Sequence, residues 1–105
     1  MSGGLLYLGT RDGLVTLRWR SGSWDVAGAG LKGLEVSCVA HRPDQPAQVF
    51  VGTVGHGLYY SPDAGHTWSA AGTDIPFASV RAILVDPSDP RRVFVGTEPA
   101  GLFLV

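Results

Sequence analysis

Apolar and polar residues alternate along most of this chain in short runs of about five to eight positions. Alternation of this kind places successive side chains on opposite faces of a strand, and the Gly, Pro, Asp and Ser residues between the runs are typical of tight turns. The pattern therefore predicts an all-β fold without helices. The predicted strands cover residues 5–10, 14–20, 24–27, 36–41, 48–53, 57–61, 67–71, 80–86, 92–97 and 101–105.

A repeat with a period in the low forties runs through the chain. The Gly-Thr pairs at Gly9, Gly52 and Gly96 are 43 and 44 residues apart, and residues 36–53 align with residues 80–97 without a gap. Residues 13–24 cover the same twelve positions as residues 57–68. A period of this length, filled by four short strands, is typical of propeller blades. We therefore expect a single domain over 1–105, with a full four-stranded unit over 35–71 between partial units over 5–27 and 80–105.

One turn within the repeat has a distinctive composition. Ser61, Asp63, Gly65, Thr67 and Trp68 form the pattern S-x-D-x-G-x-T-W directly after a predicted strand. A short Asp can accept hydrogen bonds from backbone amides, Gly tolerates the left-handed conformation, and Trp supplies a large apolar anchor. We therefore expect these five residues to build a turn.

This pattern resembles the Asp-box of sialidase-like and glycosyl-hydrolase-like β-propellers. The resemblance covers nearly the whole chain, from about residue 5 to residue 105, and implies four-stranded antiparallel blades in which the box residues are structural rather than catalytic. The first repeat departs from it, because Trp19 replaces the Asp although Trp24 aligns with the final Trp. Relatives with this repeat have very different activities, so the resemblance predicts architecture rather than chemistry.

One full blade and two three-stranded ones cannot close a ring alone, because propellers need about four to eight blades. Either the chain is a piece of a longer protein or its copies assemble. Two copies would supply six blades, which predicts a homodimeric ring.

Composition narrows the function classes. The net charge of −1 gives no electrostatic basis for binding nucleic acid or an anionic membrane. Residues 1–4 lead directly into a predicted strand without the features of a signal peptide, so we expect a cytoplasmic protein. A single cysteine excludes an intramolecular disulfide, and no metal-ligand spacing or phosphate-binding glycine loop indicates a cofactor.

The propeller resemblance places ligands at the end of the ring formed by the b–c and d–a loops. The candidate ligand-face residues there are Arg11, Asp12, His56, Asp74, Arg81 and Glu98. Each has a simpler interpretation: Asp12 before Gly13 suits a hairpin turn, and the others suit solvated loop or strand positions.

No catalytic residue is predicted. A glycosidase needs two carboxylates at a fixed separation, and a sialidase also needs an arginine cluster; neither is identifiable here. The favoured hypothesis is a non-catalytic scaffold that binds a protein or a carbohydrate. The alternatives are a truncated or split glycoside hydrolase, inactive alone, and a structural fragment or engineered propeller building block.

Overall fold

Three antiparallel sheets account for every strand in the computed structural model, which describes residues 4–105. The strands are β1 (Leu5–Thr10), β2 (Gly13–Arg20), β3 (Ser23–Gly30), β4 (Val36–His41), β5 (Val49–Thr53), β6 (Leu58–Ser61), β7 (Ser69–Ala71), β8 (Ser79–Val85), β9 (Val93–Glu98) and β10 (Gly101–Leu104). The first sheet has the order β1-β2-β3, the middle sheet β4-β5-β6-β7, and the third sheet β10-β9-β8. Every pairing is antiparallel between consecutive strands, and the described residues contain no helix.

The all-β prediction is confirmed, and the strand bounds agree closely. β1 and β4 have the predicted limits, whereas β3 extends to Gly30, beyond the predicted end at Ala27. β7 begins at Ser69 rather than Thr67, because the amide of Thr67 is bound inside the preceding turn. The prediction that residues 1–4 lead directly into the first strand concerns mainly residues 1–3, which lie outside the described residues.

The middle sheet lies between the other two and packs on both through apolar clusters. Towards the first sheet, Val49 and Val51 of β5 pack with Leu14 of β2. Towards the third sheet, Leu58 of β6 packs with a set of valines from β8 and β9. Phe50, which lies between those two valines in β5, packs against the second cluster. Successive residues of β5 therefore point to opposite sheets, as the period of a strand requires.

In the repeated Gly-Thr pair, the glycine allows close packing between sheets and the threonine stabilises the turn that follows. A Cβ on Gly9 would lie 2.6 Å from Val36 Cγ1, and a Cβ on Gly52 would lie 2.6 Å from Val80 Cγ1. Glycine thus lets the first strand of the next sheet approach closely. The threonines close the turns that follow, because their Oγ1 atoms donate hydrogen bonds to nearby carbonyl oxygens. These bonds join Thr10 to Gly13, Thr53 to Gly57 and Thr97 to Pro99 at 2.8, 2.8 and 2.9 Å.

No helix in residues 4–105 is both long enough and apolar enough to cross a lipid bilayer. The cytoplasmic location stays a prediction.

Candidate functional site

The Ser61–Trp68 turn is held by side chains that bind its own backbone. Ser61 Oγ donates to Asp63 Oδ1 at 2.8 Å and accepts from the amide of Gly65 at 2.8 Å. The other end is fixed by Thr67, whose amide and Oγ1 donate to Asp63 Oδ1 and Oδ2 at 2.8 and 2.7 Å. Ala64 and Gly65 both have positive φ, 60° and 88°, which reverses the chain over two residues.

These contacts engage both carboxylate oxygens of Asp63. The hydrogen bonds from the Thr67 side chain and backbone, followed by that from Ser61, lower the pKa of Asp63 to about 2. A carboxylate in this state is stabilised as an anion and accepts hydrogen bonds, which is the chemistry of a turn rather than of a general acid.

The same turn also joins the first and middle sheets. The amide of Ala64 donates to the carbonyl of Ala47 at 2.8 Å, while Thr16 Oγ1 of β2 donates to the carbonyl of Ala64 at 3.3 Å. The Trp68 ring packs against Gly30 of β3, where an added Cβ would come within 2.6 Å of Nε1. The indole nitrogen is buried there without a hydrogen-bond partner among the described residues. Trp68 is therefore an anchor between sheets.

The aligned segment in the first repeat folds differently. Ser21 and Gly22, with φ of 51° and 85°, form a two-residue hairpin between β2 and β3. Trp24 consequently lies inside β3, directly opposite Trp19, with ring centroids 5.3 Å apart in an edge-to-face arrangement. Trp24 is 45% exposed because it lies on the face of the first sheet that points away from the middle sheet. The hairpin leaves Trp24 within a strand, whereas Trp68 comes at the end of a longer turn.

The six predicted ligand-face residues are all exposed, and the structure does not connect them. Within residues 4–105, no hydrogen bond or ion pair joins any two of the six. Asp12 has a structural partner, because its Oδ1 accepts from the amide of Gly33 at 2.6 Å. His56 is held by a contact of 3.2 Å between Nδ1 and the carbonyl of Val54. No side-chain contact tests whether the remaining four bind a ligand, and this stays a prediction for Arg11, Asp74, Arg81 and Glu98.

His56 lines a cleft of the described chain that none of the other five residues lines. This cleft measures about 420 Å³ and lies between the β5–β6 turn and the segment after β7. Thr73, Ile75 and Phe77 line it with His56, while Val80 lies at its inner side. An aromatic ring, an aliphatic wall and a few polar groups at an open cleft suit a small polar ligand.

The remaining perturbed carboxylates serve other turns. Asp86 is buried after β8, and its pKa is lowered to about 2 by the Ser88 hydroxyl and amide and by Arg92. Arg92 reaches Asp86 Oδ2 at 2.7 Å. At the equivalent positions of the middle sheet, Arg42 replaces Asp86 and bonds Gln48 Oε1 at 3.3 Å. The two repeats therefore close the same turn with side chains of opposite charge at the first position, Arg42 in one and Asp86 in the other.

Both outermost sheet faces are apolar and exposed, as expected for an open stack of sheets. On the first sheet, Leu6 and Leu8 point away from the middle sheet, opposite Leu17 and Val15 of β2. On the third sheet, the outward side chains come from all three strands. They are Ala82, Leu84, Phe94, Leu102 and Leu104.

Among the residues that the structure describes, no group of three or more His, Cys, Asp or Glu side chains could hold a metal ion. No protein-family model matches the chain, and a search of curated proteins finds no similar sequence. These comparisons therefore assign neither a family nor a function to the chain.

Proposed function

We propose that this chain is a non-catalytic repeat scaffold of the β-propeller type, whose copies assemble into a closed ring through the two apolar outer faces. In this proposal the three sheets are consecutive blades, and the loop end presents a site for a protein or a carbohydrate. Two copies would give six blades, within the range that propellers use.

The proposal rests on one observation: equivalent repeat positions are buried in the middle sheet and exposed in the outer sheets. Val49 and Val51 are each 0% exposed, whereas Leu6 and Leu8, at the same positions of the first repeat, are 44% and 49% exposed. Leu58 is 3% exposed, whereas its equivalent Leu102 is 76% exposed. Each buried Leu-sized side chain contributes about 1.5–3 kcal/mol. Covering the outer faces would therefore strongly favour assembly.

The two exposed faces correspond to opposite sides of the middle sheet. The face with Leu6 and Leu8 is equivalent to the side that packs on the preceding sheet, and the face with Leu102 is equivalent to the side that packs on the following sheet. This supports a head-to-tail contact, in which the third sheet of one copy packs on the first sheet of another. Such a heterologous contact forms a ring when the rotation between copies closes.

Ligand binding at the loop end is supported by the cleft beside His56. Its volume of about 420 Å³ lies within the range of small-ligand sites, and Phe77 offers an aromatic surface against which a sugar ring could pack. The lowered pKa values of Asp63 and Asp86 belong to carboxylates that bind turn backbone. They favour a structural over a catalytic use of these groups.

Light scattering during size-exclusion chromatography tests the assembly. We expect a mass of twice 11.1 kDa for the unaltered chain. Leu8→Glu and Leu102→Glu, one on each outer face, should each reduce it to a monomer. Val54→Glu is the matched control, because Val54 is also an exposed apolar residue but lies in the β5–β6 loop. A folded monomer of the unaltered chain would refute the ring.

Mixing the two variants tests the head-to-tail arrangement. The Leu8→Glu chain keeps an intact third-sheet face, and the Leu102→Glu chain keeps an intact first-sheet face. The mixture should therefore recover a two-chain species through one intact contact. Dimers of either variant alone, with no gain on mixing, would instead show that like faces pair.

A further inference from the structure

The cleft beside His56 has walls that are tied together by backbone hydrogen bonds. One wall is the β5–β6 turn, and the other is the connection between β7 and β8. The amide of Gly57 donates to the carbonyl of Ala78 at 2.7 Å, which joins the two walls. Within the second wall, the amide of Ile75 donates to the carbonyl of Gly72 at 2.9 Å. The cleft is therefore preorganised, and a ligand would lose little affinity in ordering it.

The first sheet has a smaller hollow at the equivalent place, about 180 Å³ in volume. Asp12 takes the place of His56 there, but its carboxylate is bound to a backbone amide of the connection that follows β3. That connection, residues 31–35, is also shorter than residues 72–78 after the middle sheet. The longer connection supplies Phe77, an aromatic side chain that residues 31–35 do not contain. The cleft therefore depends on the connection after the middle sheet rather than on the repeat as such.

Most of the cleft surface is apolar. Leu58 and Val80 are buried beneath it, and Phe77 is half-buried beside them. The Phe77 ring contacts the ring of Phe103 of β10 in an edge-to-face arrangement, with centroids 6.3 Å apart. Such a surface suits a flat apolar group. A sugar, with hydroxyl groups around its ring, would find few partners there.

The polar side chains of the cleft are those of His56 and Thr73. Nδ1 of His56 lies 3.2 Å from the carbonyl oxygen of Val54, which can only accept, so Nδ1 carries the proton of the neutral ring. Nε2 is then an acceptor, and no donor within residues 4–105 is bound to it. The amide of His56 donates to Thr53 Oγ1 at 3.1 Å, which fixes the backbone from which the ring extends. The cleft therefore favours a ligand that supplies a hydrogen-bond donor.

The charges around the cleft do not favour an anion. Among the described residues that line it, none is an aspartate, glutamate, lysine or arginine. The charged residues on the surrounding elements are Glu35, Asp74, Arg81 and Glu98, and none of them forms a hydrogen bond or ion pair with His56. Three of these four are acidic and would repel a carboxylate or a phosphate. A neutral donor is the better match.

We infer that the cleft binds an indole-type ring, an aromatic group with a single N–H donor at its edge. The N–H donates to Nε2 of His56, and the flat ring packs beside Phe77. An indole has a donor and no acceptor, which complements an apolar site whose histidine offers an acceptor. The ring is supplied either by a free indole or by a tryptophan side chain of a protein partner. The inference rests on the ligand site of the proposed function, but it does not require the assembled ring.

The probe is skatole, a methylindole, titrated into the isotope-labelled full chain. It should bind saturably and shift the amide NMR signals of residues 55–57 and 72–78. Its N-methyl derivative keeps the ring but has no donor, so it should bind at least about threefold more weakly. Para-cresol should also bind more weakly than skatole, because it buries a smaller ring. Tighter binding of N-acetyltryptophanamide than of skatole assigns the site to a tryptophan side chain, and weaker binding assigns it to a free indole.

Acid should weaken the binding of skatole. An imidazole gains a proton between about pH 8 and about pH 5.5, after which both of its nitrogens are donors and neither can accept from an indole N–H. The affinity for skatole should therefore fall by at least about threefold over this range, whereas the affinity for the N-methyl derivative should change little. Long-range NMR correlations of the His56 ring should place the proton of its neutral form on Nδ1.

Two histidine variants form a matched pair. His56→Ala removes the acceptor and should weaken skatole binding about as much as N-methylation of the ligand does. His41→Ala is the control and should leave the affinity unchanged. His41 is also exposed, and its Nδ1 also contacts a backbone carbonyl, at 3.1 Å, but it lies at the end of β4 and does not line the cleft. Phe77→Ala should weaken the binding of skatole and of its N-methyl derivative alike, because the ring contact serves both. Circular dichroism checks that each variant keeps the sheet fold.

Absence of skatole binding, equal affinity for the N-methyl derivative or for para-cresol, stronger binding in acid, or a neutral His56 with its proton on Nε2 would each overturn the inference. Its failure is distinguishable from failure of the proposed function. Binding of the neutral disaccharide maltose in the cleft, without binding of skatole, would keep the ligand site and refute the indole. The assembled ring is tested separately, by the mass of the chain without ligand.

Discussion

The two glycines at equivalent positions of β5 and β9 offer a direct test of the packing between sheets. A Cβ on Gly52 would lie 2.5 Å from Cys38 Sγ and 2.6 Å from Val80 Cγ1. A Cβ on Gly96 would meet nothing closer than the Ala82 Cβ at 3.8 Å. Neither glycine has a positive φ, so alanine is compatible with the backbone at both positions. Gly52→Ala and Gly96→Ala therefore differ only in what covers the strand.

The expected magnitude follows from these distances. Forcing a methyl group into a tight site costs about 1–3 kcal/mol. Both substitutions also reduce the freedom of the unfolded chain, which stabilises the fold by about 0.4–1 kcal/mol and cancels when the two variants are compared. We expect Gly96→Ala to be neutral or slightly stabilising in the Leu8→Glu background, where no second copy covers the third sheet, and both glycine variants are compared in that background. The free energy of unfolding of Gly52→Ala should be lower than that of Gly96→Ala by about 1–3 kcal/mol.

Urea unfolding followed by circular dichroism measures this difference. Both variants should be compared at one protein concentration, because assembly makes the midpoint depend on concentration. In thermal unfolding, the difference should appear as about 4–8 °C for each kcal/mol in a domain of this size. Equal losses for the two variants would refute the assignment of Val80 as the side chain that covers Gly52.

The remaining predictions concern the turn and the response to acid. Trp68→Ala should lower the free energy of unfolding by about 3 kcal/mol, measured by urea denaturation, because the ring packs between two sheets. Gly30→Ala should be destabilising in the unaltered chain but nearly neutral in the Trp68→Ala background; additive losses would contradict their contact. Asp63 and Asp86 have pKa values lowered to about 2, below the ~3.9 of an unfolded aspartate, so each stabilises the fold above about pH 4 and loses that contribution as the pH falls towards 2. Asp63→Asn should therefore flatten the loss of stability between about pH 4 and pH 2, and an unchanged acid profile would count against the role of Asp63 in the turn.

Strand positions could be predicted because they depend on local pattern. The alternating run of β4 and the turn residues after it place its limits at Val36 and His41, where the structure has them. The hydrogen bonds of Asp63 are also local, since all of its side-chain partners lie within four residues. The ligand face was less predictable, because Asp12 bonds to a loop 21 residues away.

Trp24 shows what the repeat alignment could predict and what it could not. The repeat aligns Trp24 with Trp68, and the two rings lie on equivalent faces of their sheets. The two-residue turn at Ser21 and Gly22 nevertheless extends the hairpin, so that Trp24 lies within a strand, and its ring is exposed because no sheet covers that face.

The sequence by itself determined the all-β class, the strand order and the repeat, because alternation and turn composition act over a few residues at a time. Only the tertiary structure decided which side of each strand is covered. Leu8 and Val51 occupy the same repeat position, yet one is half exposed and the other is buried, because only the middle sheet has a neighbour on that side. The two uncovered faces follow from that stacking, and they are the surfaces on which the proposed assembly depends.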